Sequence, residues 1–523
     1  MKRVFLFLSL FCILCNALYA EDEQTFTMVA SPTNVAYDPH HTFTAFEAQF
    51  YTGIYEGLVS YHPITMEPLP AVAHAWEISE DRRTYTFTIR RNARYWNGDR
   101  ITAEHFYETW FRLIDPQEDA DYAFLFDIIQ GVPEYRSGES DDRDSVGIQA
   151  INENTLEVTL TQPATHFLKI LCHHSFVPIH PDFIDIDDWS GHASIPGNGP
   201  YYIHEKSEEE ILLRRNRYYW DSNTVSIPQI RILFTDNASR ATALFNSGEA
   251  HWLADSFSIQ ELHNRNAIVL NPMFATSYFF FHVDSGPWED YRIRRALALL
   301  LPWQSIRGER YFPTDRLVPD IPYYPEPEGI EAPNRQEALR LLEESGYAQG
   351  EGLPEIEIHI PEGSESRRIA EIMQESWEET LSVNVIITAM NYTGYFESLA
   401  NNESYTLGTL TWIGDFPDPL TFLQMWSAAS NLNDSGYTDP AFESAMENAT
   451  SLTGRERYQA LSEAEEVLLQ GAIVLPLSHT PSLNIIDLGV IDGWIPNPLD
   501  LHPFKYLAFS ALRELPGLAL LED

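Results

Sequence analysis

At 523 residues, with 77 acidic against 33 basic side chains and a formal charge of −44, the chain is too long for one ordinary core and too negative to hold nucleic acid or an anionic membrane surface through its own field. Two or three domains are expected, with a large interior to bury.

The N-terminus places Lys2-Arg3 before twelve residues, Val4 to Cys15, broken only by the polar Ser9, and then Asn16-Ala17-Leu18-Tyr19-Ala20. A charged start, a short apolar stretch and a small residue before a cut after Ala20 are the parts of a signal peptide, residues 1–20. Its removal takes Lys2 and Arg3 and no acid, so the charge moves to −46. No later run reaches the roughly 18 apolar residues of a membrane helix. Cys12 and Cys15 fall in the leader, which leaves Cys172 alone and excludes an internal disulfide. Cys15 is the alternative as a lipid-attachment point, against which the bulky Leu14 argues.

Phe26, Met28 and Ala30 alternate with polar residues as an opening strand. The stretch from Ala73 to Phe106, AHAWEISEDRRTYTFTIRRNARYWNGDRITAEHF, carries the densest signals. Tyr85, Phe87 and Ile89 alternate as a half-buried strand, Asn97-Gly98 marks a turn, and Thr102 precedes a helix whose apolar face is Phe106, Trp110 and Leu113. A further strand follows at Leu156 to Leu160, and a turn at Asn198-Gly199-Pro200 leads into another. Arg240 to Ala250 reads as a helix that stops at Gly248. Tyr278 to Phe281 is apolar enough for a fully buried strand.

From Asn334 the pattern becomes regular. Asn334 with Glu337 forms a cap, and Leu339 and Leu342 supply an apolar face. Strands at Ile356 to Ile360 and Val383 to Ile387 flank an amphipathic helix with Ile369, Met373 and Trp377. Helix, strand, helix, strand predicts a parallel sheet with crossover helices. Next comes Tyr405 to Ile413, a strand by its β-branched and aromatic content, then Gly414-Asp415-Phe416-Pro417 and a helix start at Asp418-Pro419. A strand ending in a Gly-Asp turn delivers a carboxylate to the rim of a sheet, where α/β proteins place ligand groups. An acid that bonds only its own turn is the other reading, and the residues alone leave both open.

Catalytic motifs are missing: there is no G-x-S-x-G, no H-E-x-x-H and no G-x-x-x-x-G-K-[ST]. Adjacent histidines, His40-His41 and His173-His174, point apart on a helix and read as scattered core or solvated residues. Cys172 reads as a buried structural cysteine. No enzyme activity, metal or cofactor is expected.

The Ala73 to Phe106 run, with Asp38-Pro39, Tyr55-Glu56-Gly57-Leu58, Gly199-Pro200-Tyr201, Arg217-x-x-Trp220 and Trp412-x-x-Asp415 in the same order, resembles the oligopeptide and dipeptide family of extracytoplasmic solute-binding proteins that serve ABC importers. The resemblance spans essentially the whole mature chain. It implies a two-lobed α/β fold of the type II periplasmic-binding-protein kind, with an extra subdomain and a cleft that closes about a hinge. Residues 21–50, 180–270 and 480–523 would build lobe I, 51–179 its subdomain and 271–479 lobe II. The implied function is capture of short peptides by a monomer and their delivery to permease subunits in the membrane, in the periplasm or at the cell envelope. Another solute on the same fold (a nickel chelate, haem or an oligosaccharide) and a peptide-sensing surface protein are the alternatives.

By resemblance, Asp415 matches the carboxylate that meets the peptide's ammonium. Trp412, Ile413 and Gly414 would add backbone groups or pocket walls. Val35, Ala36 and Tyr37, together with Thr276, Ser277 and Tyr278, lie where the family has its other ligand-facing strands. Ile413 stands where some relatives carry a disulfide cysteine. Thr409 and its neighbours are neutral where length-selective relatives carry a base, which leaves the holder of the peptide C-terminus open.

Overall fold

The computed structural model describes residues 25–33, 35–42, 44–164, 166–186, 188–284, 286–308, 310–400 and 405–510. The leader read at 1–20, the Cys15 alternative and the end of the chain assigned to lobe I lie outside them.

Three hydrophobic cores organise these residues. The first surrounds a seven-stranded mixed sheet ordered Ile268–Asn271, Ser482–Ile486, Trp252–Leu253, Thr25–Ala30, Gln229–Phe234, Glu210–Arg215, Tyr201–Lys206. Thr25–Ala30 runs parallel to both its neighbours, and the outer pairs are antiparallel. Five of its six residues are buried, as a central strand covered on both faces requires.

The second core fills residues 58–176 around a four-stranded antiparallel sheet, Ala73–Ile78, Thr84–Ile89, Thr155–Thr159, Ile148–Asn152. Tyr85, Phe87 and Ile89 point inward with the expected alternation. Helix Ala103–Leu113 buries Phe106, Trp110 and Leu113 against them, and the Trp110 indole donates to the Phe176 carbonyl at 3.1 Å.

The third core, residues 274–477, holds a five-stranded sheet ordered Val385–Met390, Ile356–Pro361, Leu407–Ile413, Ala275–Phe281, Val474–His479. The regular helix-strand pattern predicts a parallel sheet, and Ile356–Pro361 is indeed parallel to Val385–Met390. The sheet as a whole is mixed. Ala275–Phe281 enters from outside that series and lies antiparallel between Leu407–Ile413 and Val474–His479. All seven of its residues are buried. The chain passes between the first and third cores at two places, 272–274 and 480–481.

Local contacts fix both ends of helix Ala45–Ile54. Thr44 and Glu47 form a reciprocal capping box at its start. At its other end Gly199 lies so close that a Cβ would sit 2.5 Å from the Ile54 carbonyl carbon. Asn198 then exchanges hydrogen bonds with the Glu56 backbone at 2.7 and 3.0 Å, fixing the turn that carries Glu56.

Candidate ligand-binding site

A cavity of about 460 Å³ opens where the three cores meet. Helix Ala45–Ile54 turns Ala45, Ala48, Tyr51 and Thr52 toward it, a single face by the three-and-four spacing. The second body supplies Tyr61, Asp121, Tyr122, Cys172, His173 and His174. The third supplies Leu410 to Asp415 and Asn431, Leu432 and Asp434.

Leu407–Ile413 forms the rim. On one side it pairs with Ala275–Phe281 along its full length; on the other it touches Ile356–Pro361 only at Leu407. The Tyr395 hydroxyl donates to the Thr409 carbonyl and accepts from its N–H, both at 2.7 Å. Thr409 therefore directs its backbone away from Ala275–Phe281, and Gly414, one step out of phase, donates to Phe274 at 2.8 Å. By the alternation of an antiparallel ladder, Thr411 and Ile413 also aim N–H and C=O at the open edge. That edge borders the cavity and has no strand against it among the described residues.

Gly414 admits no side chain, since a Cβ would lie 2.6 Å from Phe274 Cδ1 and 2.8 Å from Thr421 Cγ2. The tight turn brings Asp415 back under Thr421. The Thr421 hydroxyl accepts from the Asp415 N–H at 2.8 Å and donates to its Oδ2 at 2.9 Å. The Asp415 carbonyl accepts from the Tyr61 hydroxyl at 2.6 Å, a bond between the second and third bodies. Asp415 thus bonds within its own turn and also lines the cavity.

Its charge is unmatched. Asp415 Oδ1 lies 3.7 Å from His173 Nε2, with both side chains only 7% exposed. Burial, and then the neighbouring His174, hold the His173 imidazolium well below its ordinary range, so the ring is neutral. Burial pushes Asp415 up to about 7 against hydrogen bonds that pull it down. Among the described residues no lysine or arginine is paired with this buried carboxyl.

Two further lining acids are in the same condition: burial raises Asp121 to about 7 and Asp434 to about 6. Glu56, by contrast, is matched: Lys505 donates to it at 3.1 Å, and Tyr219 and Trp220 bond it too. Outside the cavity Asp38, His41 and Glu118 bring ligand atoms within 4.8 Å of one another. The Arg112 guanidinium already occupies that cluster, 2.7 Å from Asp38 and 2.5 Å from Glu118.

Of the residues singled out from sequence, Trp412, Ile413, Gly414 and Asp415 line the cavity together. Tyr278 lines a small adjoining recess. Val35, Ala36 and Tyr37 stand outside the lining; the Ala36 N–H donates to Glu47 at 3.1 Å, and Lys206 covers the Tyr37 ring at 3.8 Å. Thr276 and Ser277 also stand outside it, bonded to Leu317 and His479 and to Thr411 and Thr480. Asp418 caps the short helix Leu420–Leu423 from one residue further back than expected, with Pro419 at the cap, and pairs with Arg457 at 2.8 Å. His173 and His174, read as scattered core or solvated residues, sit together in the wall with Cys172, read as a buried structural cysteine; burial raises the Cys172 thiol well above its usual range and lowers His174 to about 4. Asp121, Tyr122 and Asp434 carry no sequence signal, since isolated acids in loops are common in so acidic a chain.

A sequence profile described as bacterial extracellular solute-binding proteins, family 5 Middle, matches residues 67–434. The dipeptide-binding protein DppE of Bacillus subtilis (strain 168) is 28% identical over 487 residues, covering 88% of this chain and 86% of that one. The fold matches the solved structure of the Escherichia coli murein tripeptide binding protein MppA with a TM-score of 0.84 at 24% identity, over 93% of this chain and 99% of that one. Against the unliganded open form of MppA, at 24% identity and over 93% and 98% of the two chains, the TM-score is 0.63. With the family profile covering well over half of its residues, the chain belongs to the bacterial extracellular solute-binding proteins of family 5.

Proposed function

We propose that the protein is the substrate-binding receptor of an ABC importer and captures short peptides in this cavity. The observation that carries the reading is a buried carboxylate without a cation, Asp415, at the end of a strand whose open edge borders the cavity. Every peptide has an ammonium terminus and a backbone that can extend as a strand, so one carboxylate and one free edge recognise peptides whatever their side chains. In this reading the ammonium meets Asp415 and the peptide backbone pairs with Thr411 and Ile413. Trp412 and Gly414 shape the wall. Relatives named for dipeptide and murein tripeptide binding favour peptides over the other solutes known to suit such folds.

The same proposal assigns residues 271–479 to a lobe that moves against the rest, with 272–274 and 480–481 as hinge segments, and a monomer that meets membrane permease subunits at the cell envelope. Among the described residues no helix is long and apolar enough to cross a membrane.

Native mass spectrometry of the purified protein after exposure to a mixed peptide digest tests it. Retained peptides of a few lengths, lost from Asp415→Asn, are expected. Loss of the buried charge partner corresponds to about 2–5 kcal/mol, tens-fold or more in affinity. Retention of a metal chelate, haem or sugar in place of peptides, or equal peptide retention by Asp415→Asn, would refute it.

A further inference from the structure

We propose that the receptor prefers peptides bearing a lysine or arginine side chain, whose cationic head is held between Asp121 and Asp434 on facing walls of the cavity. The inference rests on the peptide-binding reading above and narrows it to a charge class.

Asp121 belongs to the second body and Asp434 to the third. Their segments are laced together at the rim. Asn431 Nδ2 donates to Asp119 Oδ1 and to the Ala120 carbonyl, both at 3.1 Å, and Arg136 donates to Asn431 Oδ1 at 2.9 Å. Backbone bonds hold each residue in place. The Asp121 N–H donates to the His40 carbonyl at 3.1 Å, and the Asp434 carbonyl accepts from the Tyr405 hydroxyl at 3.1 Å. Neither side-chain carboxylate has a hydrogen bond or ion pair among the described residues, yet both line the cavity. Each is more than half buried, and the negative charge of Asp434 acts on Asp121, as do those of Glu47 and Asp119, against the opposing influence of His41.

The remaining charges of the lining leave these two acids unmatched. Among the described residues Lys505 is its one lysine or arginine, and it is bonded to Glu56. Asp415 is reserved for the ammonium terminus. A peptide with neutral side chains would therefore leave two desolvated carboxylates of the lining with no cation beside them. A separate group also has no partner: the Tyr51 hydroxyl, on a side chain 1% exposed, lines the same cavity without a hydrogen bond and can accept from a cationic head. Glu47 is the charged neighbour that Tyr51 and Asp121 share. Leu410, Met425 and Leu432 border Asp434 both in the cavity and in its adjoining recess, and supply an apolar track for the methylene stem. Because the two acids come from different bodies, a cation between them favours the closed arrangement over the open one by an interaction the open one lacks.

Calorimetric titration of the full chain decides the matter, with alanine tripeptides carrying lysine, or its neutral isostere norleucine, at the first, second or third position. At one position lysine is expected to bind more than about tenfold more tightly than norleucine, a preference of the size close charge pairs produce. In the Asp121→Asn/Asp434→Asn double variant the preference should collapse while the norleucine peptide binds as well as before or better. Asp415→Asn should weaken both peptides and keep their ratio. Norleucine equal to or better than lysine at every position, or a lysine preference that survives in the double variant, would overturn the inference while leaving peptide capture standing. Failure of every tripeptide to bind, together with no peptide of any length retained from the mixed digest, would remove the peptide reading itself and this inference with it. Cooperative melting of the variants at or above the parent's midpoint excludes misfolding as the cause.

Discussion

Proton-linked binding is the sharpest consequence of the Asp415 site. An ammonium terminus must meet an ionised carboxylate, but in the empty, closed cavity burial pushes Asp415 up to about 7. On that value the group is about 3% ionised at pH 5.5 and about three quarters ionised at pH 7.5. The ammonium of a peptide, with an ordinary pKa of about 7.7–8.0, is essentially fully charged at the lower pH and about two thirds charged at the higher. The product of the two fractions rises roughly fifteenfold across the interval, and affinity for a peptide with neutral side chains should follow it. A carboxyl at its usual pKa of about 3.9 would instead give a fall of about one third, from the amine alone. Calorimetry with a neutral tripeptide at pH 5.5, 6.5 and 7.5 reads this directly, in buffers of different ionisation enthalpy so that the released proton is counted. Asp415→Asn should bind weakly with no rise, and an N-acetylated peptide should bind weakly throughout. A parent affinity that is flat or falls over the interval would refute the assignment of Asp415 as the ammonium partner.

Three further outcomes are expected from the same contacts. In the ligand-free protein Asp121, Asp415 and Asp434 have folded pKa values raised above their unfolded ones. The folded state therefore holds more protons between about pH 4 and 7, and these groups cost stability as pH rises through that window. The Asp121→Asn/Asp434→Asn variant should melt about 2–4 °C above the parent at pH 8 and equal to it at pH 4; a gain independent of pH would contradict this. Gly414→Ala places a methyl against Phe274 and Thr421 and should lower stability by about 1–3 kcal/mol in urea unfolding. It should also weaken peptide binding, because Thr421 holds Asp415; an unchanged protein on both counts would be inconsistent with the packing described. Glu56→Gln leaves the Lys505 ammonium buried with no carboxylate, at a cost of about 3–5 kcal/mol. The second change Lys505→Met should recover much of it in the same unfolding assay, and a Glu56→Gln midpoint equal to the parent's would exclude the pair as a structural element.

Legibility tracks periodicity. Strands such as Thr84–Ile89 and helices such as Ala103–Leu113 bury one face, and the alternation or the i, i+4, i+7 stripe is written into their residues. Asp415 is legible because a β-branched run ends in Gly-Asp, and Gly414 is compulsory there for a steric reason that the structure makes explicit. The mixed pairing of the five-stranded sheet is not legible. Ala275–Phe281 is buried on both faces, so its pattern specifies burial but neither its direction nor its neighbours. The acids opposite Asp415 are hidden for a different reason. Asp121 and Asp434 are 313 positions apart in the chain and acquire meaning only from a contact between bodies, the Asn431 bonds to Asp119 and Ala120. His173 escapes sequence reasoning on the same ground: its neighbour in sequence, His174, is uninformative, whereas its neighbour in space is Asp415.

Those cross-body contacts also explain why a receptor of this kind can close on its ligand without a dedicated latch. Asp415 is carried by the third body, but the groups that surround it, Tyr61, Tyr122 and His173, come from the second. Phe416, next in the chain, is fully buried in the second core. Separating the bodies would expose Phe416, break the 2.6 Å Tyr61 bond and return Asp415 to water. An ammonium bound at Asp415 is desolvated only in the closed arrangement, where the lower local dielectric makes its attraction to the carboxylate far stronger than at an open, wet surface. Ligand charge and closure are thus two ends of one equilibrium: the ligand shifts it by as much as it binds the closed cavity better than the open one. A ligand lacking the ammonium loses that differential term, even if it fits the space.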